Sequence, residues 1–428
     1  MVNAAEISGT PSQIGTSPPE RIRSIDALRG LVMFVMIFVN DLGDVHGSIV
    51  PAWMKHFRGE NGMTFVDLVF PGFLFIVGMS IPFALDSRRH RGESLSRTLL
   101  HILARAGALL FIGILMVNGL PDPAKMGWSG SWWLALVFLS AILAFCDVVP
   151  SPGSDVSPER ARYFRLLTRG ARSVGLIALV FLAFVFRNKN GVSIITLAPF
   201  NIRHLWYGIL GYIGWSYLLS SVLYLVLGKN RIALLGALLL LLCLYPAHKM
   251  ELFKGLWIAK HINLGGVFGS RAVIAGWGLL LGVMLASTRA SAPAVRVRLT
   301  LLLIAGCGTA AWLLGGLYGI SKDNATPSWA LWGTTATAAL WLIIYFISDV
   351  RPVECLARPL TMAGQNVLLA YLISESIPSV LEVAGLASWY DNIGQLGLPY
   401  AIVRSALCSL IILSAVVRIN RLGFRLRL

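Results

Sequence analysis

The chain has 428 residues and a formal net charge of +16, with 56% hydrophobic and only 13% charged residues. Soluble domains carry about 25% charged residues, so this composition excludes an ordinary soluble domain and predicts an all-α, polytopic protein of the lipid bilayer. Basic residues that set membrane topology explain the positive charge better than a nucleic-acid partner does, so no nucleic acid is expected.

Apolar runs of about 20 residues divide most of the chain into predicted membrane helices. Before them, residues 1–20 are rich in Ser, Thr, Pro and Gly and predict a disordered cytoplasmic tail. Residues 21–418 form a single predicted transmembrane domain, and residues 419–428 a basic cytoplasmic tail. The twelve predicted helices lie at 25–43, 64–85, 98–118, 131–148, 173–186, 205–227, 231–246, 268–288, 299–317, 329–348, 362–384 and 399–417.

The distribution of Lys and Arg between alternate loops predicts the orientation of these helices. With the N-terminus inside, the cytoplasmic loops hold roughly twice as many Lys and Arg residues as the opposite loops, which favours both termini inside. An even number of helices agrees with that orientation. The second helix then runs from outside to inside, so Asp67 near its start lies close to the outer surface.

The first predicted helix carries polar residues at both ends of one face. Asp26, Arg29, Met33, Met36 and Asn40 are separated by three and four residues in turn, which places them on the same side of a helix. From Asp26 to Asn40 the helix rises roughly 21 Å, so the face joins the two membrane surfaces. Alternatively, Asp26–Arg29 is a local ion pair, Asn40 is a helix cap, and the methionines are packing residues.

The outer loop "DLGDVHGSIVPAWMKHFRGENGM" and the helix that follows it hold the densest group of titratable side chains. A His beside carboxylates can exchange protons near neutral pH, which makes His56 a candidate catalytic residue. His46 is more simply explained as an ordinary polar loop residue. Glu60 and Asn61 lie in the same loop, and a carboxylate within an apolar run, such as Asp67 in "TFVDLVFPGFLFIVGMSIP", is costly and usually functional.

Two later helices carry further polar residues. Glu375, in the outer half of the eleventh helix, could line the site or pair with Arg404 of the last helix. Asn366 lies near the cytoplasmic end of the eleventh helix. His101 and Arg105 enter the third helix from inside, where snorkelling to the interface is the simplest explanation.

The strings "RIRSIDALRG", "FVN" and "KHFRGENGMTFVDLVFPGFLFIVGMSIP" together resemble the heparan-α-glucosaminide N-acetyltransferase family and its bacterial relatives. The resemblance covers residues 21–82 best, and "LLFIGILMVNGL" and "PLTMAGQNVLLAY" are also similar. The family has a ten-helix core, so two of the predicted helices would be additional. The loop differs from the bacterial pattern H-A-x-W-H-G, because "HFRGENG" is one residue longer and lacks the Trp and the second His.

The resemblance implies an acyl-CoA-dependent transmembrane N-acetyltransferase, with acetyl-CoA as cytosolic donor and an amino sugar or envelope glycan as acceptor outside. It implies a bacterial inner membrane as the location and no metal. By position, it assigns catalysis to His56, Asn40 and Asp67. Combined with the pattern of polar residues, it predicts donor-binding residues at the inner side and acceptor-binding residues at the outer side, namely Asp26, Arg29 and Asn366 inside, and Glu60, Asn61 and Glu375 outside.

Two other classes of function remain open at this point. A secondary transporter of a small solute or sugar would also have about twelve helices with charged residues inside the membrane. Many transporters show internal repeats and paired broken helices, and neither is visible in this sequence. An acyltransferase relative that has lost activity and serves as a sensor or assembly partner is the other alternative, and a homodimer is compatible with any of them.

Overall fold

The computed structural model describes residues 22–45, 47–118, 121–148, 157–197, 200–203, 206–288 and 293–426. The predicted tail at 1–20 and the loop residue His46 lie outside the described residues. The described part is almost entirely helical, and its β-structure is limited to two short antiparallel pairs. The predicted all-α class is therefore confirmed.

The helices alternate with short turns along the chain. The α-helices are α1 Arg23–Gly43, α2 Val69–His90, α3 Leu95–Val117, α4 Pro123–Met126, α5 Gly130–Phe145, α6 Pro158–Val185, α7 Gly208–Leu227, α8 Arg231–Leu242, α9 Leu244–Lys249, α10 Leu264–Gly266, α11 Ala272–Ser287, α12 Pro293–Tyr318, α13 Pro327–Tyr345, α14 Glu354–Ala363, α15 Val367–Val383, α16 Ala387–Gln395 and α17 Leu398–Arg421. The strands are β1 Cys146–Val148, β2 Ile195–Leu197, β3 Phe200–Ile202 and β4 Phe424–Leu426.

Single turns of 3₁₀- and π-helix extend several of these helices. The 3₁₀ turns are Ala52–Met54, Phe65–Leu68 and Trp257–Lys260, and the π turns are Val267–Arg271 and Phe346–Val350. The turn Phe65–Leu68 leads directly into α2, and Val267–Arg271 joins α10 to α11.

Among the described residues, nine helices are long and apolar enough to cross a membrane, and the bent pair α14–α15 makes ten if it counts as one span. The chain is therefore a polytopic membrane protein. Two of the twelve predicted spans, α1 and α5, are not among these ten. Helix α1 is excluded because it carries four charged residues, and α5 because it has only 16 residues.

Helix α11 lies at the centre of the bundle, with 83% of its apolar stretch buried inside the protein. Glycines let it approach α2 closely. A Cβ atom at Gly78 would lie 1.7 Å from the carbonyl oxygen of Ala275, and one at Gly278 would lie 2.0 Å from that of Phe75. Such backbone contact is the usual reason for small residues between membrane helices. It fixes α2, which carries Asp67 just before its first turn, against the core.

A second glycine contact joins α1 to the break between α14 and α15. A Cβ atom at Gly30 would lie 2.1 Å from the oxygen of Leu360, and one at Gly364 would lie 1.9 Å from the oxygen of Asp26. Helices α14 and α15, on either side of this break, are bent by 73° relative to each other. The sequence motifs "DALRG" and "AGQN", more than 330 residues apart in the chain, therefore meet at one point.

The end of the chain packs back onto the bundle. Helix α17 continues to Arg421, and β4 pairs antiparallel with β1, so the region predicted as a basic tail includes regular structure. Asn366 holds this strand, because its side chain accepts a hydrogen bond from the backbone N–H of Leu426 (3.2 Å) and donates one to the oxygen of Phe424 (3.4 Å).

Candidate active site

His56 and Asp67 form a hydrogen-bonded pair at the start of α2. Nδ1 of His56 lies 2.8 Å from Oδ1 of Asp67. The His56 side chain is half exposed, whereas the Asp67 side chain is only 1% exposed. The other carboxylate oxygen, Oδ2, accepts hydrogen bonds from the backbone N–H groups of Phe57 (3.1 Å) and Thr64 (3.0 Å). Because Asp67 is fixed at both oxygens, it can hold the imidazole in one orientation.

The local sequence explains why Asp67 is fixed. Thr64 and Asp67 form a capping box around the turn Phe65–Leu68, in which each side chain accepts from the backbone N–H of the other. The backbone oxygen of Asp67 also accepts a hydrogen bond from Nε1 of Trp329 in α13, at 3.2 Å. The string "TFVD" thus builds a helix start and a support for the histidine with the same carboxylate.

Lys322, in the loop between α12 and α13, is a third member of this group that the sequence analysis missed. Its Nζ lies 3.0 Å from Nδ1 and 3.3 Å from Nε2 of His56, and 3.7 Å from Oδ1 of Asp67. Burial lowers the pKa of Lys322 from its ordinary value, although the nearby Asp67 opposes that shift. In the sequence, this lysine resembles any solvated charge of a short loop, so only the fold could reveal it.

Residues of the extended loop hold the Lys322 segment in place. The side-chain oxygen of Asn61 accepts a hydrogen bond from the backbone N–H of Ile320 at 2.8 Å, and the N–H of Gly62 donates to the oxygen of Ile320 at 2.8 Å. Glu60 and Asn61 are both exposed and neither lines the adjacent cavity. Their predicted role in acceptor binding stays a prediction.

His56 lines a cavity of about 500 Å³, which we call the outer cavity after the predicted orientation of the helices. Its walls combine aromatic rings with a small number of charged and amide groups. The guanidinium of the half-buried Arg271 lies 4.3 Å from the ring centre of Tyr212, and this residue too was missed by the sequence analysis. The aromatic lining residues are Phe70, Trp206, Tyr212 and Trp329, and the polar ones include Asn40, Arg271, Lys322 and Asp323.

Asn40 lines the outer cavity and donates a hydrogen bond from Nδ2 to Oε1 of Glu375, at 3.0 Å. The alternative pairing of Glu375 with Arg404 was wrong. NH2 of Arg404 instead lies 3.2 Å from Oδ2 of Asp41, which joins α17 to α1, and the hydroxyl of Tyr390 in α16 donates a hydrogen bond to Oδ1 of Asp41. Glu375 and Arg404 thus contact adjacent residues of α1 rather than each other.

An inner cavity of about 490 Å³ lies on the other side of the bundle. Its polar lining is mostly basic, and it includes the second and third helices as well as the α14–α15 break. His101 and Arg105, expected at the interface, line this cavity, and Nε of Arg105 is buried without a hydrogen-bond partner among the described residues. The remaining polar lining residues include Arg29, Ser80, Arg88, Gln365 and Asn366.

Arg29 takes part in several contacts at the edge of the inner cavity. Its NH1 lies 2.8 Å from Oδ1 of Asp26, and this is the local ion pair that the sequence analysis gave as an alternative. NH1 also donates to the oxygen of Gly364 at 3.3 Å, and NH2 donates to Oγ of Ser80 at 2.8 Å. Arg29 therefore connects α1, α2 and the α14–α15 break while it faces the cavity.

The two cavities meet inside the protein. Met36 of α1 and Ile209 of α7 contribute to the walls of both. The basic cavity and the cavity that His56 lines are therefore adjacent, and two apolar side chains contribute to the boundary between them. The one polar face of α1 lines both compartments, through Arg29 and Met33 on one side and Asn40 on the other.

No group of three or more His, Cys, Asp or Glu side chains in the described ranges could hold a metal ion. An imidazole with Nδ1 held by a carboxylate leaves Nε2 to accept a proton or to attack an electrophile.

Comparison with known proteins adds a partial likeness to this geometry. Residues 21–120 match a domain of unknown function, DUF5009. The chain is 41% identical over 100 residues to heparan-alpha-glucosaminide N-acetyltransferase of Homo sapiens, and 38% identical over 102 residues to that of Mus musculus. These matches cover 23% and 24% of the chain, and 14% and 15% of those relatives. Asn40, His56 and Asp67 lie within residues 21–120, the range that matches DUF5009, whereas Lys322 and Glu375 lie outside that range.

Proposed function

We propose that this protein is a transmembrane N-acetyltransferase that moves an acetyl group from cytosolic acetyl-CoA to an amino sugar or glycan outside. The observation that carries the proposal is the pair of adjacent cavities that share Met36 and Ile209. One has basic lining residues, and the other is lined by His56, whose Nδ1 is hydrogen-bonded to Asp67. The similarity of 100 residues of the chain to an enzyme named as an N-acetyltransferase supports the same activity.

The proposed topology has twelve spans with both termini inside, in an inner membrane. Each of the twelve predicted spans overlaps a helix or helix pair, and this number is reached when α1, α5 and the bent α14–α15 pair are added to the nine apolar helices. The Lys and Arg bias of the loops gives the orientation. The basic cavity then opens toward the cytosol and His56 toward the outside.

The inner cavity suits the donor chemically. Arginine binds phosphate groups through a planar set of N–H donors, and Arg88 and Arg105 together with His101 would hold the phosphates of acetyl-CoA. The buried, unpartnered Nε of Arg105 is a donor of the kind that a phosphate would satisfy. Acetyl-CoA supplies an activated acetyl group as a thioester.

At the outer cavity, the acceptor amine needs to lose a proton as it bonds to the acetyl carbon and the carbon–sulfur bond breaks. His56 has Nδ1 on Asp67, so Nε2 is the nitrogen that would take this proton or would carry the acetyl group itself. Asn40 offers an uncharged N–H for the developing oxyanion. The aromatic walls provide apolar surfaces for a sugar ring.

A transporter is the second candidate, because two adjacent cavities with apolar side chains at their boundary also describe an occluded pathway. A transporter would respond to a solute gradient and would not need acyl-CoA. Turnover of acetyl-CoA by the purified protein therefore separates the two functions.

The test uses the full chain purified in detergent, with radiolabelled acetyl-CoA and glucosamine. We expect labelled N-acetylglucosamine and loss of thioester with the wild type, and a loss of about 10³-fold with His56→Ala, as for removal of a general base. His46→Ala, a change in the same loop, is the matched control and should keep full activity. Absence of thioester loss in the wild type, or equal rates with His56→Ala, would contradict the proposal.

A labelled acetyl-enzyme formed without acceptor would assign the covalent route to His56 rather than direct transfer. This experiment uses the same donor and the same His56→Ala variant. Label that persists in the variant would place the acetyl group on another residue.

A further inference from the structure

Lys322 reaches His56 from a segment more than 250 residues away in the chain. Its Nζ lies at nearly equal distances from the two ring nitrogens, 3.0 Å and 3.3 Å. The lone-pair directions of these nitrogens diverge in the ring plane, so an atom nearly equidistant from both cannot lie along either one. Lys322 therefore acts on His56 as a nearby charge, which leaves Nδ1 to the Asp67 carboxylate.

The buried carboxylate of Asp67 needs a compensating positive charge. Its side chain is only 1% exposed, and Nζ of Lys322 lies 3.7 Å from Oδ1. A protonated His56 could serve as this cation, but an imidazolium cannot accept a proton from a substrate amine. Lys322 supplies the charge without engaging the Nε2 lone pair that the proposed chemistry requires.

Other charged groups lie around Asp67 and Lys322. Arg271 and Asp323 line the same cavity and carry opposite charges. In the loop of His56, Lys55 donates to the backbone oxygens of Val45 and Gly47, whereas Arg58 and Glu60 are exposed. Three of these five groups are cations and two are anions, so they leave one positive charge in excess. Lys322 adds a further positive charge, and its Nζ lies 3.7 Å from the Asp67 carboxylate.

We propose that Lys322 is a positioning residue that balances Asp67 and thereby keeps His56 as a neutral imidazole, with its proton on Nδ1 and Nε2 free. The catalytic consequence rests on the proposed acetyl transfer, whereas the protonation state of His56 does not. Without Lys322, a protonated imidazole is no longer repelled by the ammonium. The attraction of the Asp67 carboxylate for the imidazolium is then no longer offset. His56 then stays protonated to higher pH.

The first test reads the protonation of His56 without any substrate. Diethyl pyrocarbonate modifies neutral imidazole, and mass spectrometry of the full-length protein gives the modification rate at His56 across a pH series. In Lys322→Met the half-maximal rate should move to higher pH by about one to two units, as expected for a charge within ~4–6 Å. Lys322→Arg should restore the wild-type midpoint.

Lys260→Met, which removes an exposed lysine of the turn Trp257–Lys260, is the control and should leave the midpoint unchanged. Thermal unfolding of each variant verifies that it is folded, and Lys322→Gln replaces Lys322→Met if the latter does not fold. An unchanged midpoint in a folded Lys322→Met or Lys322→Gln protein would overturn the inference.

The second test measures the pH dependence of acetyl transfer. The acidic limb of kcat/KM should move to higher pH in Lys322→Met, parallel to the reactivity of His56. If the wild type transfers no acetyl group but the reactivity midpoint moves, the proposed function fails and the role of Lys322 stands. If acetyl transfer occurs and neither profile moves, the proposed function stands and the role of Lys322 is refuted.

Discussion

The outer and inner cavities have almost the same volume, about 500 and 490 Å³, but they hold charge in different ways. Beside the outer cavity, the Asp67 carboxylate is buried and both of its oxygens have fixed partners. In the inner cavity, Arg88 is paired with Glu93, but the buried Nε of Arg105 has no hydrogen-bond partner among the described residues. Groups with fixed partners suit a reaction whose geometry must be preorganised, and a donor without a partner suits the binding of a phosphate ligand.

The two regions also differ in what supports them. The outer site depends on loops, and the segment of Lys322 is held to the His56 loop by hydrogen bonds at Ile320. The inner cavity depends on helices in backbone contact, at Gly30 and Gly364. Substitutions in the outer region should therefore affect the rate more than stability, and those at the glycine contact should affect stability first.

Asp67→Asn should have the largest effect in this comparison, a loss of about 10²- to 10⁴-fold in kcat, like other carboxylates that orient a catalytic imidazole. The amide oxygen would take the backbone donors of Phe57 and Thr64, which turns the NH₂ group toward Nδ1 of His56. The imidazole would then carry its proton on Nε2, where a base is needed. Steady-state kinetics with acetyl-CoA and glucosamine measure the change.

Thr64→Ala is the control for that prediction, because it removes the other half of the same capping box. Loss of a helix cap costs about 1 kcal/mol of stability. The rate per folded molecule should change only a few-fold. If Thr64→Ala and Asp67→Asn reduce kcat equally, the carboxylate acts only by capping the turn.

Gly30→Ala should destabilise the protein by about 1–3 kcal/mol, the usual cost of overpacking. The new Cβ atom would lie 2.1 Å from the oxygen of Leu360, so α1 and α14 must separate. Gly107→Ala in α3 is the matched control, since nothing lies within 4 Å of its added Cβ atom. Thermal unfolding in detergent compares the two, and equal midpoints would show that the contact does not limit stability.

Much of the fold was accessible from the sequence because hydrophobicity alone determines membrane helices. Each predicted span coincides with a helix or helix pair, but the short length of α5 and the charges of α1 keep the number of qualifying spans at nine or ten. Depth in the membrane can be predicted from position along a helix. Rotation about the helix axis cannot, which is why the sequence left open whether Glu375 lines the site or pairs with Arg404 and did not identify its contact with Asn40.

The candidate site likewise contains residues that the sequence predicted and residues that only the fold reveals. Asn40, His56 and Asp67 lie within 28 consecutive residues, so motif and local pattern were sufficient to bring them together. Lys322 and Arg271 reach the same cavity from distant segments, and each resembles an ordinary loop or helix cation in the sequence. Only the packing of α11 and α13 against α2 brings these two charges to the histidine.

Arg105→Gln should have the smallest effect, a rise of about tenfold in KM for acetyl-CoA with kcat nearly unchanged, as expected when a binding contact is lost equally in ground and transition states. The neutral side chain keeps much of the length but not the charge that phosphate would meet. S-acetylpantetheine, which lacks the phosphates, should show no difference between variant and wild type. Arg97→Gln, an exposed change on the same helix, is the control. A fall in kcat with both donors would instead assign Arg105 to the reaction itself, and the contrast between the two cavities would no longer hold.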